Sequence, residues 1–185
     1  MTRFILAALG TSVLFTGAVF GLFFAWVSTV MWGFDAADPR VAIPAMQAVN
    51  ANVRNATFGT VFFGAPIVLL ATAALLAWIG ARRSASWTLL AAAVFVFGTL
   101  APTFLVNVPM NEALATIAVP RDPTAAAQVW ADFSGPWQVW NGLRTAMAGL
   151  ALLGVVAAFV ALPGGRVPAR GGDWRKGDAT PGHAC

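Results

Sequence analysis

The sequence predicts an all-α protein, a bundle of four transmembrane helices. Four apolar runs, at about residues 4–33, 58–80, 87–106 and 137–162, carry almost no charge between their ends. Each has the length of about 20 residues that a helix needs to cross a hydrocarbon layer about 30 Å thick. Only 10% of the residues are charged, and the mean hydropathy is +0.76. Because backbone amides inside lipid must be hydrogen-bonded within their own segment, the runs are helices rather than strands.

The chain is predicted to be one membrane domain, residues 1–162, followed by a short tail. With four spans in 185 residues, there is no room for a separate soluble domain. Residues 163–185 are rich in Gly, Pro and Arg, which predicts a disordered cytoplasmic tail. The tail holds His183 and Cys185, the single histidine and the single cysteine, so the sequence encodes neither a disulfide framework nor a cysteine metal site.

Basic residues predict the orientation in the membrane. If the chain crosses four times, three basic residues of the loops lie on one side and seven lie on the other. The seven are Arg3, Arg82, Arg83, Arg166, Arg170, Arg175 and Lys176. The positive-inside rule therefore places both termini in the cytoplasm and predicts a multi-pass protein of the cell (inner) membrane. Because the basic residues are scattered along the chain, the net charge of +4 does not indicate nucleic-acid binding.

Two short helices are predicted in the outer loops. Residues 44–55 place Met46, Val49 and Val53 on one apolar stripe. Residues 124–133 follow Asp122 and a proline, which is a helix-start signal.

Glycine and proline predict where the spans bend and where they approach a neighbour. Gly17 and Gly21 form a GxxxG pair, which permits close approach to a neighbouring helix within the chain or in a homodimer. Gly98 and Pro102 predict a bend in the third span.

Polar side chains fall in three groups, which we expect to converge in the outer half of the bundle. The groups lie at the entry to the second span, at the end of the third, and inside the fourth. They are Gln47, Asn50, Arg54 and Asn55; Asn107, Asn111 and Glu112; and Asn141 and Arg144.

Arg144 is the most informative of these residues. An arginine within a span costs about 2.5–3.5 kcal/mol on insertion scales, so it normally faces a partner or a wet cavity. Asn141, three residues earlier, lies on the same helical face. Trp137 and Trp140 are placed to stack on the guanidinium. Glu112 is the carboxylate nearest a span end and is the expected counter-ion.

A structural interpretation of the same residues stays open. Arg144 would then extend to lipid phosphate at the outer interface, and the asparagines would cap helix ends. Asn107 and Asn111 lie on either side of Pro109, which predicts a helix break there with free backbone groups.

Four motifs support a resemblance to a known family. They are M-Q-A-V-N at 46–50, N-x-x-F at 55–58, N-V-P-M-N-E-A-L at 107–114 and W-x-x-W-N-x-x-R at 137–144. In this order they resemble the anthrone oxygenase-like family (DUF1772) of integral membrane proteins, over about residues 9–162. The resemblance implies oxidation of anthrones to anthraquinones with molecular oxygen and no recognised metal or flavin, although many bacterial members have no assigned reaction.

Three functions are compatible with these residues. The first is binding of a small apolar or aromatic ligand by Asn107, Asn111, Asn141, Asn50, Asn55, Gln47 and Trp140. The second is a cofactor-independent oxygenase, in which Glu112 is the base and Arg144, with the amides, stabilises an enolate oxygen. The third is a small transporter or an accessory subunit. No histidine or cysteine lies in the spans and no carboxylates pair there, so we expect no cofactor and no metal.

Overall fold

The computed structural model describes residues 2–162, which form five helices. Three are uninterrupted: α2 (Pro39–Asn52), α3 (Ala56–Trp78) and α5 (Pro123–Val160). Helix α1 consists of Thr2–Ala25, a π-helical turn at Trp26–Val30, and Met31–Ala36. Helix α4 begins as Arg82–Phe95, passes through π-helical turns at Val96–Leu100 and Thr103–Asn107, and ends as Val108–Ala115. The predicted tail, 163–185, lies outside the described residues.

Four of these helices are long and apolar enough to cross a membrane, which confirms the predicted all-α, four-span bundle. The shortest, α3, has 23 residues, which at 1.5 Å per residue spans about 35 Å. Helix α1 packs against α3 and α5, and α4 packs against the same two helices, so the four form a closed ring. Helix α2 lies at one end of the ring, which we call the outer end.

The first predicted loop helix corresponds to α2, which begins several residues earlier than expected. The carboxylate of Asp38 accepts a hydrogen bond from the backbone N–H of Arg40 at 2.8 Å, and Pro39 occupies the first helical position. Both features favour helix initiation. Ile43 and Met46 on the inward face of α2 are fully buried.

The second predicted loop helix, 124–133, is helical but is not a separate element. It is the first part of α5, which continues through Pro136 into the fourth span. Asp122 caps this helix, because its carboxylate accepts from the backbone N–H of Ala125 at 2.8 Å. The outer part of α5 is fixed to α1 by Asp35, whose carboxylate accepts from Trp130 Nε1 at 2.9 Å and Ser134 Oγ at 2.6 Å.

Helix α4 differs from the prediction of a break at Pro109. The helix continues past Pro109 to Ala115, and the π-helical turn at Thr103–Asn107 lies directly before this proline, where a missing backbone donor alters the hydrogen-bond pattern. The irregularity lies earlier, where two π-helical turns flank Pro102, as expected for a proline that removes a backbone donor. A Cβ at Gly98 would lie 2.5 Å from Met147 Cγ, so Gly98 permits close contact with α5.

The bend in α4 opens the outer half of the bundle. Helix α3 packs closely against Arg82–Phe95, whereas the part of α4 beyond Val96 has its close contacts with α5 and α2. The outer halves of α3 and α4 are therefore separated, and side chains rather than backbones meet between them.

The predicted glycine contact of α1 is not used within the described chain. A Cβ built on Gly17 or Gly21 would meet no atom within 4 Å. The homodimer through this face stays a prediction.

Candidate functional site

A cavity of about 520 Å³ occupies the space between the outer halves of the helices. This volume lies in the range of small-molecule sites. Arg144 and Thr103 contribute polar groups from α5 and α4. The walls are mainly aromatic, and polar side chains surround the mouth at the outer end. The aromatic residues include Phe23, Trp26, Phe58, Phe62 and Trp137, and the polar residues of the mouth are Asn50, Arg54, Asn55, Asn111 and Glu112.

Arg144 is buried, with 5% of its surface exposed, and lines this cavity. Its Nη2 donates to Asn141 Oδ1 at 2.7 Å, and its Nη1 donates to Thr103 Oγ1 at 3.2 Å. The guanidinium carbon lies 4.4 Å from the ring centroid of Phe23 and 5.5 Å from that of Trp137. Arg144 is therefore held by neutral acceptors and aromatic faces, and it does not extend to the outer interface.

The Nε group of Arg144 is buried and has no hydrogen-bond partner among residues 2–162. A buried donor without an acceptor is costly, and more so when it carries charge. Arg144 therefore brings to the cavity wall a guanidinium whose hydrogen bonds are not all satisfied by the described residues.

The expected ion pair between Glu112 and Arg144 is not formed. Glu112 Oε1 instead accepts from Arg54 Nη2 at 2.9 Å, and about 60% of each of these two side chains is exposed. The reason is the continuation of α4 as a helix, which carries Glu112 out to the mouth of the cavity, where Arg54 follows the end of α2. Exposed ion pairs of this kind contribute little to stability.

Three of the predicted asparagines line the cavity. Asn111 Oδ1 accepts from Trp137 Nε1 at 2.8 Å, which orients the indole ring in the wall. Asn55 caps α3, since its Oδ1 accepts from the backbone N–H of Phe58 at 3.0 Å. Asn50 is different, because its Nδ2 is buried and has no partner in the described chain.

The other predicted residues are not among those that line the cavity. Asn141 supports Arg144, and Asn107 is fully buried and donates to the carbonyl of Trp137 at 3.3 Å. Gln47 Nε2 donates to the carbonyls of Leu114 and Ile117, both at 2.9 Å, which fixes the end of α4 to α2.

Trp140 lies on the outside of α5, with 38% of its surface exposed. One turn of helix separates Trp137 from Asn141 and another separates Asn141 from Arg144, so these three share a face. Trp140 falls on a different face, which explains why only Trp137 contacts the guanidinium.

Residues 55–166 match the family described as anthrone oxygenase, which is more than half of the chain. The chain belongs to this family. No curated protein and no solved structure matches it at a significant level.

The region that matches the anthrone oxygenase family contains α3, α4 and α5. It therefore includes Arg144, Thr103, Asn111 and Trp137, while the first wall of the cavity, from α1, and Asn50, from α2, precede it. Within residues 2–162 there is no group of three His, Cys, Asp or Glu side chains that could hold a metal ion. The groups available to a ligand are two guanidinium groups, one carboxylate, amides, a hydroxyl and aromatic rings.

Thr103 and most of the aromatic walls were not predicted from the sequence of this anthrone oxygenase family member. Phe58 and Phe62, four residues apart on α3, have ring centroids 4.9 Å apart, and Phe23 and Trp26 are three apart on α1. This helical spacing was available in the sequence, but it is equally typical of ordinary core packing. Thr103 could have been suspected from its place beside Pro102 at a predicted bend.

Proposed function

We propose that the cavity binds a flat, aromatic, lipid-soluble molecule that presents an oxygen acceptor to Arg144. The observation that carries this proposal is the Nε donor of Arg144, which is buried and lacks an acceptor in the described chain. A carbonyl, phenolate or enolate oxygen in the cavity would accept a hydrogen bond from this guanidinium and be stabilised by its positive charge. Asn141 and Thr103, which hold the two Nη groups, would keep the guanidinium oriented.

The walls favour an aromatic body for the ligand. Phe58 and Phe62 are stacked, and Trp26 and Trp137 lie 5.3 Å apart between ring centroids. Aromatic rings prefer offset-stacked and edge-to-face contacts, which a planar polycyclic molecule can make on several sides. Asn50 also lines the cavity near the mouth, and its amide is available as a second polar group for the ligand.

The proposal is tested by equilibrium binding of 1,8-dihydroxyanthraquinone to the full chain in lipid nanodiscs, measured by quenching of tryptophan fluorescence. We expect Arg144→Gln to weaken binding about 10- to 100-fold, the loss of one charged hydrogen bond. Asn50→Ala should weaken it severalfold without lowering the melting temperature, because Asn50 Nδ2 makes no hydrogen bond to lose.

Arg40→Gln is the matched control, since it removes a positive charge at the outer end from a residue that does not line the cavity. Its affinity should equal that of the unmodified chain. Equal affinity in the folded Arg144→Gln variant would contradict the proposal.

A second candidate function is oxygenation of an anthrone without a bound cofactor, which the family match favours. A base removes a proton from the ring methylene carbon of the anthrone, and the electron pair delocalises onto the carbonyl oxygen, which Arg144 stabilises. The resulting carbanion transfers electrons to molecular oxygen, a C–O bond forms, and the peroxide loses water. One oxygen molecule is consumed, one water is released, and the methylene becomes a second carbonyl.

Glu112 is the proposed base, because it lines the cavity at its mouth. A positioned general base contributes about 10²- to 10⁴-fold to rate, so Glu112→Gln should lower anthrone-dependent oxygen uptake by that factor. Asp132→Asn is the matched control, since Asp132 is an exposed carboxylate that accepts from Gln128 and does not line the cavity. Oxygen uptake by the folded chain no faster than by empty nanodiscs would exclude catalysis and leave binding alone. Transport gains no comparable support, because no Asp or Glu is among the buried residues of the part of the chain that the structure describes.

A further inference from the structure

We infer that the ligand enters this cavity from the hydrocarbon layer, through a side opening between α3 and α4 that the rings of Phe63 and Phe104 close. The inference rests on the proposed binding function and adds to it the route and the source of the ligand. The opening is therefore a membrane-facing entrance rather than a channel from water.

Helices α3 and α4 are separated in the outer half of the bundle. Helix α3 makes its close backbone contacts with Arg82–Phe95, and α4 then bends toward α5 and α2 beyond Val96. The two π-helical turns and Pro102 produce this bend. No helix backbone closes the gap on the lipid side at this level, so the wall between cavity and membrane consists of side chains.

Two aromatic side chains, one from each helix, meet between α3 and α4. Phe63 on α3 and Phe104 on α4 both line the cavity, yet 49% and 46% of their surfaces are exposed. Their rings are stacked, with centroids 6.0 Å apart. A single layer of two rings therefore separates the inside of the cavity from the acyl chains.

Space next to the Phe63 ring allows this side chain to move. A Cβ on Gly59, one helical turn before Phe63, would first meet Phe63 Cδ2, and only at 4.0 Å. Rotation of partly exposed side chains takes place in picoseconds to nanoseconds. The Phe63 ring can therefore turn toward Gly59 and open the pair without displacement of a helix.

The water-facing mouth of the cavity is polar, whereas the side opening is aromatic. There the Arg54–Glu112 ion pair joins the end of α2 to α4 over the cavity. An apolar molecule dissolved in the bilayer would have to be transferred to water to reach that mouth, at about 25 cal/mol per Å² of apolar surface. The side opening avoids this transfer.

The experiment measures association and dissociation rates of 1,8-dihydroxyanthraquinone by stopped-flow fluorescence, with the full chain in nanodiscs. Phe63→Ala and Phe104→Ala widen the opening, and we expect both rates to rise about tenfold while the Kd changes much less, since a gate alters rates in both directions. A residue that only contacts the bound ligand would change the dissociation rate and the Kd together.

The chain offers a matched control for each variant. Ile67 is one turn after Phe63 on α3 and Leu105 is next to Phe104 on α4; they are 67% and 75% exposed and neither lines the cavity. Ile67→Ala and Leu105→Ala remove similar lipid-facing side chains, and their rates should equal those of the unmodified chain.

Two outcomes overturn the side entrance while leaving the binding proposal intact. One is that Phe63→Ala and Phe104→Ala have the same association and dissociation rates as the control variants. The other is acceleration in Arg54→Gln with no acceleration in Phe104→Ala, which would assign entry to the water-facing mouth. Failure of the unmodified chain to bind the probe at equilibrium is a different result, which overturns the binding function and the entrance with it.

Discussion

The inner and outer halves of the bundle both bury polar side chains, but they satisfy them differently. In the inner half, Ser12 and Thr72 share a hydrogen bond at 3.1 Å, and Ser12 also donates to the carbonyl of Ala8. The exception there is Ser84 Oγ, which lies in the first turn of α4 and has no partner in the described residues. In the outer half, Arg144 and Asn50 each keep a buried N–H group without a partner in the described residues. A hydroxyl can bond back to the preceding turn of its own helix, whereas an amide or guanidinium has more donors than one turn can accept.

The two halves also differ in packing. In the inner half, a Cβ built on Gly154 would lie 3.0 Å from Ala91 Cβ, so α4 and α5 are in close contact. In the outer half, Gly59 lines the cavity, and a Cβ there would meet nothing closer than 4.0 Å. The inner half is therefore tightly packed, and the cavity exists because α4 separates from α3 in the outer half.

The largest expected loss of stability comes from removing an acceptor of the buried Arg144 guanidinium. Asn141→Leu removes the acceptor of Arg144 Nη2 and should lower the free energy of unfolding in detergent by about 2–3 kcal/mol, since a charged donor loses its partner. Ser12→Ala, the inner-half counterpart, should cost about 1 kcal/mol or less, the usual value for hydrogen bonds between membrane helices. Equal losses in the two thermal unfolding curves would contradict the distinction between the halves.

A smaller effect is expected from the two glycines. Gly154→Ala should destabilise the chain by about 1–3 kcal/mol through overpacking against Ala91. Gly59→Ala should be neutral or stabilising by up to about 1 kcal/mol, because alanine favours the helix and the cavity accepts the methyl group. Melting temperatures of the two variants measured side by side are the test, and a loss at Gly59 as large as that at Gly154 would show that the outer half is packed as tightly.

The smallest effect concerns pH at the outer end. The hydrogen bond from the Arg40 side chain, and then that from the Arg40 backbone N–H, lowers the pKa of Asp38 from 3.8 to about 2. The stabilisation of the α2 cap is therefore present above pH 3.8 and is lost as the pH falls through about 2.

Titration of the Asp38 carboxyl by NMR checks this prediction. Arg40→Gln should return its pKa toward 3.8 and shift the loss of amide protection at the start of α2 to higher pH. No other part of the bundle should respond in this pH range through Asp38, because the residue is exposed at the surface.

Much of the candidate site could be predicted from helical spacing. The interval of three residues between Asn141 and Arg144 requires that they share a face, and the structure joins them by a hydrogen bond of 2.7 Å. Helical spacing could not decide whether Trp137 or Trp140 contacts Arg144, because spacing does not specify which face of α5 is turned inward. The predicted pairing of Glu112 with Arg144 was wrong, because the position of α4 beyond Pro109 depends on π-helical turns that residue types alone do not specify.

The sequence by itself determined that the protein lies in a lipid bilayer, that it has four spans, and that one charged residue lies inside the fourth span. These follow from composition and local periodicity, since lipid demands apolar helical segments of a minimum length. Only the tertiary structure decided that Arg144 is held by Asn141 and Thr103, that Glu112 binds Arg54, and that a cavity lies between α3 and α4. The physical reason is that these properties depend on the rotation and bending of packed helices, which arise from contacts between residues far apart in the chain.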